Sequence, residues 1–225
     1  MHTEAPALVH ADLPSVHEAI KARIIDGRLP PGAKVLEAEL ALELGLSRTP
    51  VREALIRLQS EGFCEPAPPR GLRVAPLSMR DVREINEVLA CLEAEAAGRL
   101  ANRHPGPEEM AQLDAAIAAM DAALEAEDRA AWSEADLRFH RLILELCGNR
   151  HLAQTARLFL EKAHRVRLLT TPLRERPVYS NVNHAAVVEA VRRGDAQTAL
   201  EIHRAHKRRW SAELDGLLRR LNLPE

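Results

Sequence analysis

The stretch that decides the fold is residues 47–57, Ser-Arg-Thr-Pro-Val-Arg-Glu-Ala-Leu-Ile-Arg. Its apolar residues recur at three- and four-residue spacing, which predicts a helix with one buried face. Ser47 is the predicted N-cap, because its hydroxyl can accept a hydrogen bond from a backbone N–H two or three residues on. Pro50 falls in the first turn, where its missing N–H costs little. Four polar residues stand at the N-terminal end, away from the apolar face: Ser47, Arg48, Thr49 and Arg52. A helix N-terminus with these side chains suits a phosphate-rich partner such as DNA.

The segments on either side predict a winged helix-turn-helix. In chain order they are a helix from Leu13 to Gly27, a strand at Lys34–Leu36, a helix at Glu37–Leu44, the helix of residues 47–57, a strand at Phe63–Glu65 and a strand at Leu72–Val74. Two helices joined by a tight turn at Gly45 form a helix-turn-helix, whose second helix enters the major groove. The hairpin that follows is the wing. Arg70 and Gly71 lie near its tip, where Gly allows close approach and Arg can reach a phosphate or the minor groove.

Charge alone does not carry the DNA-binding prediction. The formal net charge of the chain is −2, and residues 1–77 hold 9 Lys and Arg against 10 Asp and Glu. Glu53 and Glu61 dilute the positive patch, and a lone surface arginine is more often just a solvated charge. The prediction rests on the order of the elements.

Composition bounds the class of protein. A chain of 225 residues can hold two domains, and abundant Ala and Leu with only 3% aromatic residues favour a mostly α protein. The three cysteines, Cys64, Cys91 and Cys147, form no tight pattern and are expected to be reduced thiols. No apolar run has the length of a membrane span, and no signal peptide is visible at the N-terminus. We therefore expect a cytoplasmic protein without a membrane partner.

After residue 77 the pattern predicts helices only. The domains are predicted at residues 8–77 and 78–225, with Pro76–Ser78 as the hinge and Ser78 as the cap of the next helix. Six helices are predicted at residues 80–102, 108–126, 130–147, 151–169, 180–193 and 195–221. They form an all-helical bundle.

Histidines on these helices indicate a metal site. Asp136 and His140 are four residues apart, so both share one helix face, and His184 and His206 lie on later helices. One carboxylate and three imidazoles suit a divalent transition metal such as Zn, Ni or Mn. An Asp-x-x-x-His pair alone is more often a surface hydrogen-bonded pair. Spacing does not choose between His203 and His206, and two further histidines, His151 and His164, could be ligands or simply exposed.

Residues 14–77 resemble the winged-helix domain of GntR-family bacterial repressors. The matching residues are Pro31-Gly32, Glu39-Leu40-Ala41, Leu44 to Leu55, Leu58, Glu61-Gly62 and Arg70-Gly71. The resemblance implies that Arg48 and Arg52 contact operator bases or phosphates, with Ser47 and Thr49 on the DNA backbone. It places Arg70 and Gly71 at the wing tip. Some relatives carry Arg where this chain has Ala38, so a contact there is absent or supplied elsewhere.

Residues 80–220 resemble the ligand-binding FCD domain, in its shorter, vanillate-regulator-like form. Three segments carry the match: Asp136-Leu137-Arg138-Phe139-His140 with Gly148-Asn149, His184 to Ala190, and Gly194-Asp195-Ala199 with His206. The resemblance implies that Asp136, His140, His184 and His206 bind the metal, with zinc as the first expectation, and that His203 does not.

The FCD resemblance also implies a small organic acid as effector. Arg165 and Arg167 could neutralise the acid if they face inward, although surface charges are an equal alternative. Relatives often carry an Arg where this chain has Leu89, so a carboxylate-holding residue is missing there. The chain is expected to be a homodimeric, metal- and effector-responsive repressor of double-stranded operator DNA, and not an enzyme.

Two other classes of protein compete with a regulator. Three histidines and one aspartate could activate water in a metal-dependent hydrolase, but that leaves the winged helix unexplained. A winged helix could also bind protein, but the arginines at the start of the capped helix argue against it. A salt-dependent affinity for DNA would separate these classes, because phosphate contacts release counterions.

Overall fold

The structure, a computed structural model, describes most of the chain: residues 15–69, 71–221 and 223–224. The chain divides into two compact units between Ala75 and Pro76. Three sequence predictions fall outside the described residues: the helix start at Leu13, the domain start at residue 8 and the wing-tip position of Arg70.

The first unit is a winged helix-turn-helix, as predicted. Its elements are α1 (Val16–Ile25), β1 (Lys34–Val35), α2 (Glu37–Leu44), α3 (Arg48–Ser60), β2 (Cys64–Pro66) and β3 (Leu72–Val74). The strands form an antiparallel sheet in the order β1–β3–β2, so the wing hairpin is continued by the strand before α2. The second strand begins one residue later than predicted, because the N–H of Phe63 donates to the carbonyl of Leu58 at the end of α3, at 2.9 Å.

One face of α3 fixes its position. Val51, Leu55 and Leu58 are at most 1% exposed, which confirms the predicted apolar face. Ser47 is at the N-cap position with an extended backbone, but its side chain makes no capping hydrogen bond. The prediction of a capping hydroxyl is therefore wrong in this respect. An exposed serine loses little here, since water can satisfy both its hydroxyl and the free N–H groups of the first turn.

The second unit is an all-helical bundle, as predicted. Its described residues form six α-helices: α4 (Met79–Arg103), α5 (Pro107–Glu125), α6 (Arg129–Leu146), α7 (Arg150–Thr170), α8 (Val178–Arg192) and α9 (Ala196–Arg220). A single 3₁₀ turn at Thr171–Leu173 follows α7. Ser78 caps α4 as predicted, because its hydroxyl accepts a hydrogen bond from the N–H of Asp81 at 3.0 Å.

The two longest helices, α4 and α9, run side by side in opposite directions. Arg83 pairs with Asp215 at 2.9 Å near one end, and Glu93 lies beside His203 farther along. A continuous core fills the bundle, with fully buried members on every helix, among them Leu100, Leu113, Phe139, Leu160, Val187 and Ala199. Among the described residues, no helix has the length and apolar character needed to cross a membrane.

Two glycines of this unit should respond in opposite ways to alanine. Gly194 ends α8 with a left-handed backbone (φ +69°), and a Cβ there would overlap the ring of His104. Gly216 lies inside α9, where a Cβ meets nothing within 4 Å. We expect Gly194→Ala to lower the free energy of unfolding by about 1–2 kcal/mol, the cost of a left-handed backbone. Gly216→Ala should raise it by about 0.5–1 kcal/mol.

Urea denaturation of both variants and the wild type, followed by circular dichroism, measures these changes. Each variant is the control for the other, because both replace a glycine and so change the entropy of the unfolded chain in the same way. Equal changes at the two positions would contradict the assignment of their backbone conformations.

Candidate DNA interface and metal centre

The N-terminal end of α3 presents its polar residues to solvent. Ser47, Arg48, Thr49 and Arg52 are all exposed. Oε1 of Glu37 lies 3.9 Å from Nε of Arg52, and the Arg52 side chain remains 70% exposed. A surface pair of this kind contributes little and is easily exchanged for a phosphate. The geometry leaves both arginines available to a polyanion.

Glu61, which the sequence placed among the charges that dilute the patch, faces inward. Its side chain is only 17% exposed, and its carboxylate lies 2.9 Å from Nζ of Lys21 and 3.0 Å from Nε2 of His17, both on α1. Arg57 contacts the same carboxylate at 3.1 Å. Glu61 thus joins α1 to the C-terminal end of α3. Its charge is neutralised there, so it does not repel DNA phosphates from the N-terminal end of the helix.

The wing hairpin places Gly71 at an exposed turn with φ +100°, a conformation that favours glycine. Two residues beyond it, Arg73 on β3 pairs with Glu65 on β2 at 2.6 Å. Gly71 therefore lies in the turn between β2 and β3, as predicted. The guanidinium of Arg73 is paired with Glu65 on the neighbouring strand.

Three of the four predicted metal ligands come together inside the second unit. Asp136 and His140 lie one turn apart on α6, and His184 lies on the facing part of α8. One donor atom of each lies within 4.8 Å of the others, and all three residues are at most 2% exposed. Nε2 of His184 is 3.0 Å from Oδ1 of Asp136, and Nε2 of His140 is 3.7 Å from Oδ2. The helix spacing that predicted a shared face for Asp136 and His140 accounts for their approach.

His206, the fourth predicted ligand, lies beside this group on α9. It is 6% exposed, and its ring centroid is 4.7 Å from that of His184. It is near the cluster of Asp136, His140 and His184 but is not part of the group whose donor atoms lie within 4.8 Å.

A second group of donor atoms shares His140. Glu93 on α4, fully buried, lies 2.9 Å from Nδ1 of His140 and 3.5 Å from Nε2 of His203. These three residues also meet the distance requirement for a metal site. The sequence predictions left Glu93 unassigned and set His203 aside. The sequence does hold a signal for Glu93, because it lies on the same helix face as the apolar residues Leu89, Ala96 and Ala97. A carboxylate on a buried face needs a partner of opposite charge or a hydrogen-bond donor.

Burial disfavours the charged form of three histidines in this interior, His140, His184 and His206. Burial lowers the pKa of His140 to about 3, although Glu93 and Asp136 oppose that shift. Burial also lowers the pKa values of His184 and His206. Burial works against ionisation of Asp136, but the guanidinium of Arg167 beside it holds the pKa of its carboxyl well below its ordinary value. Neutral imidazoles and an ionised carboxylate are the forms that bind metal ions.

The donor set fits a divalent transition metal. Nδ1 of His140 lies 2.9 Å from Glu93 and Nε2 lies 3.7 Å from Asp136, so a neutral ring that keeps its proton on Nδ1 can offer Nε2 to a cation. Several buried side-chain atoms find no hydrogen-bond partner among the described residues, and Nδ1 of His184 and Nδ1 of His206 are among them. Unsatisfied buried polar atoms are costly, and a bound ion would satisfy atoms of this kind.

The two arginines predicted to hold an acid are both buried on α7. Arg167 is 5% exposed and its guanidinium contacts Oδ2 of Asp136, so it faces the cluster. Arg165, two residues earlier, is 4% exposed. Leu89, which stands where relatives often have Arg, is fully buried on α4. A third buried cation, which the sequence predictions missed, is Lys207 on α9; it is 3% exposed, and its Nζ lies 2.5 Å from Oε2 of Glu93.

Comparison with known proteins agrees with this architecture. Residues 14–74 match the profile of the bacterial regulatory proteins of the gntR family, and residues 84–209 match that of the FCD domain. A helix-turn-helix transcriptional regulator from the TAR-I ttuE-ttuC′ intergenic region of Agrobacterium vitis is 42% identical over 58% of this chain and 77% of its own length. A protein of Paenarthrobacter nicotinovorans, named a probable D-xylose utilization operon transcriptional repressor, is 38% identical over 61% of this chain and 60% of its own.

Among solved structures, McbR/YncC of Escherichia coli superposes with a TM-score of 0.75 and 25% sequence identity, over 88% of this chain and 94% of its own. The two profile matches cover both units, and the second alone spans more than half of the chain. This chain therefore belongs to the GntR family of bacterial transcriptional regulators, with an FCD domain after its winged helix.

Proposed function

We propose that this regulator is a repressor whose affinity for operator DNA changes when a small organic acid binds, together with a divalent metal ion, inside the FCD domain. The proposed domains are residues 8–77 and 78–225. The observation that carries the proposal is the buried group of Asp136, His140 and His184, because a carboxylate and imidazoles are kept together in ligand-competent forms within a helical core. The name of the P. nicotinovorans relative supports a repressor.

DNA binding is assigned to the start of α3 and to the wing. Arg48 and Arg52 reach base edges or phosphates in the major groove, and Ser47 and Thr49 hydrogen-bond to phosphates. Arg70 and Gly71 contact the DNA from the wing. A homodimer presents two such helices to a palindromic operator, and pairing raises a modest affinity through effective concentration.

The metal site is assigned to Asp136, His140, His184 and His206, with Glu93 fixing the orientation of the His140 ring. Zinc suits this donor set best, and nickel and manganese are the alternatives. The ion would supply a Lewis-acidic position for a carboxylate oxygen of the effector. Arg167 would stabilise the acid from α7, with Arg165 as a further candidate. Because the ligands lie on three helices, an effector that binds one arrangement of those helices better shifts the population toward it.

Arg48→Ala and Arg52→Ala should each weaken binding to a palindromic operator from the upstream intergenic DNA. A lost base contact costs about 1–3 kcal/mol, so we expect the Kd to rise roughly 5- to 150-fold. Fluorescence anisotropy with the operator duplex and a scrambled duplex, at several salt concentrations, measures the specific component.

Arg57→Ala is the matched control, because Arg57 is an exposed arginine at the other end of α3 and pairs with Glu61. It should leave the Kd almost unchanged. Specific binding that survives in both Arg48→Ala and Arg52→Ala would refute the assignment of the recognition helix.

Asp136→Ala and His206→Ala should lose bound metal, because each removes one of four proposed ligands. Elemental analysis of protein dialysed against zinc and then against metal-free buffer gives the metal content of each variant. Zinc should also raise the melting temperature of the wild type, since a ligand that binds only the folded state stabilises it.

His151→Ala is the control for a lost histidine, because His151 is exposed near the start of α7. His203→Ala separates the two possible donor groups. It should retain zinc if the site is that of Asp136 and His184, and lose it if Glu93 and His203 are the ligands. Unchanged zinc content in Asp136→Ala and His206→Ala would contradict the proposed site.

A further inference from the structure

One large aliphatic side chain of α3 faces solvent. Ile56 is 58% exposed, whereas Val51, Leu55 and Leu58 of the same helix are at most 1% exposed. A β-branched residue at an exposed helix position lowers helix propensity compared with alanine. Neither packing in the core nor the stability of the helix therefore accounts for an isoleucine at this position. Single exposed apolar residues are common on protein surfaces, so its place on the helix decides what it can do.

Helix geometry places Ile56 on the side of α3 that is directed away from the core. An α-helix turns by about 100° per residue. The buried face is formed by Val51, Ala54, Leu55 and Leu58. Measured from the centre of that face, Ile56 projects at about 150°, between Arg52 at about 110° and Thr49 at about 170°. Its direction therefore lies between those of two residues that are assigned to DNA.

Ile56 also lies within reach of the bases along the helix axis. It follows Arg52 by four residues, which corresponds to a rise of about 6 Å. Base pairs of B-DNA are stacked about 3.4 Å apart. When α3 lies in the major groove with Arg52 at a base edge, Ile56 faces the groove about two base pairs farther on.

The surroundings of Ile56 favour DNA over a protein partner. Its neighbours one turn before and one turn after are polar and exposed: Arg52, Glu53, Gln59 and Ser60. An interface with another protein uses a contiguous apolar centre, which these residues do not supply. The floor of the major groove is mostly polar, with isolated methyl groups, and so it matches an isolated apolar side chain.

Isoleucine can read only one feature of the major groove. It has no side-chain donor or acceptor, so the hydrogen-bonding edges of guanine, adenine and cytosine offer it no partner. Thymine presents a C5-methyl group at the position where cytosine has a hydrogen. Contact between that methyl group and the aliphatic side chain removes apolar surface of both from water, which is favourable.

We propose that Ile56 contacts the C5-methyl group of a thymine in each operator half-site and makes the regulator prefer thymine there. This inference rests on the proposed role of α3 in DNA binding. Arg48 and Arg52 supply charge and hydrogen bonds, and Ile56 adds sequence preference without charge. Loss of the Ile56 side chain should therefore leave the salt dependence of DNA binding unchanged, because no phosphate contact is lost.

Replacement of thymine by deoxyuracil tests the contact, because uracil lacks only the C5-methyl group. The full-length wild-type protein first selects sites from a random DNA duplex library, and the most enriched duplex is the probe. Each thymine is then replaced in turn, in both half-sites, and the Kd is measured by fluorescence anisotropy. At one position the Kd of the wild type should rise about fourfold for each half-site, or roughly 15-fold in all.

Ile56→Ala should bind the thymine duplex and the deoxyuracil duplex at that position with equal Kd. Replacement of the thymine by cytosine or by 5-methylcytosine gives a second comparison, since these two bases also differ by one methyl group. The wild type should prefer 5-methylcytosine by a similar factor, and Ile56→Ala should show no preference. Leu42→Ala is the control, because Leu42 is an 84% exposed leucine on α2. It should keep both methyl preferences.

A methyl preference that is as large in Ile56→Ala as in the wild type, or absent from both, overturns the proposal. Circular dichroism checks the fold, and Ile56→Ser carries the same test should Ile56→Ala not fold. A wild type that selects no specific duplex refutes the role of α3 in DNA binding. A specific duplex whose binding does not depend on any thymine methyl group refutes only the role of Ile56.

Discussion

The second unit depends on the buried ring of His140, which lies between two carboxylates. Glu93 on α4 fixes its Nδ1, and Asp136 on α6 lies by its Nε2. Each carboxylate then needs a cation of its own, which Lys207 on α9 and Arg167 on α7 supply. Because a buried charge without a partner is strongly destabilising, these contacts restrict how four helices can pack. The polar interior is thus part of what specifies the bundle.

The first unit differs in this respect, because the arginines at the start of α3 are exposed to solvent and not buried. The apolar face of α3 holds the helix, and its arginines stand at the exposed N-terminal end. An exposed cation needs no partner in the protein, so it stays available to a phosphate. Glu61, the acidic residue that is partly buried, is bound by Lys21 and His17 on α1 and contributes to packing. A net charge of −2 is therefore compatible with DNA binding, because the arrangement of charges matters more than their sum.

A regulator needs two states that a ligand can tell apart. In this bundle the ligand-competent residues belong to helices that share one core with Leu100, Phe139 and Val187. A close-packed core transmits a change of side-chain partner as a movement of whole helices, because it does not deform continuously.

The sequence by itself determined the elements, because local periodicity and end residues set helices and turns. It gave the winged helix, the six later helices, the apolar face of α3 and the shared helix face of Asp136 and His140. The sequence did not determine which residues from distant helices come into contact. That Glu93 approaches His140, that Lys207 points inward and that Glu61 is neutralised from α1 depend on how distant helices pack. Only the tertiary structure decided these contacts, since the cost of burying a charge depends on neighbours that are far away in the chain.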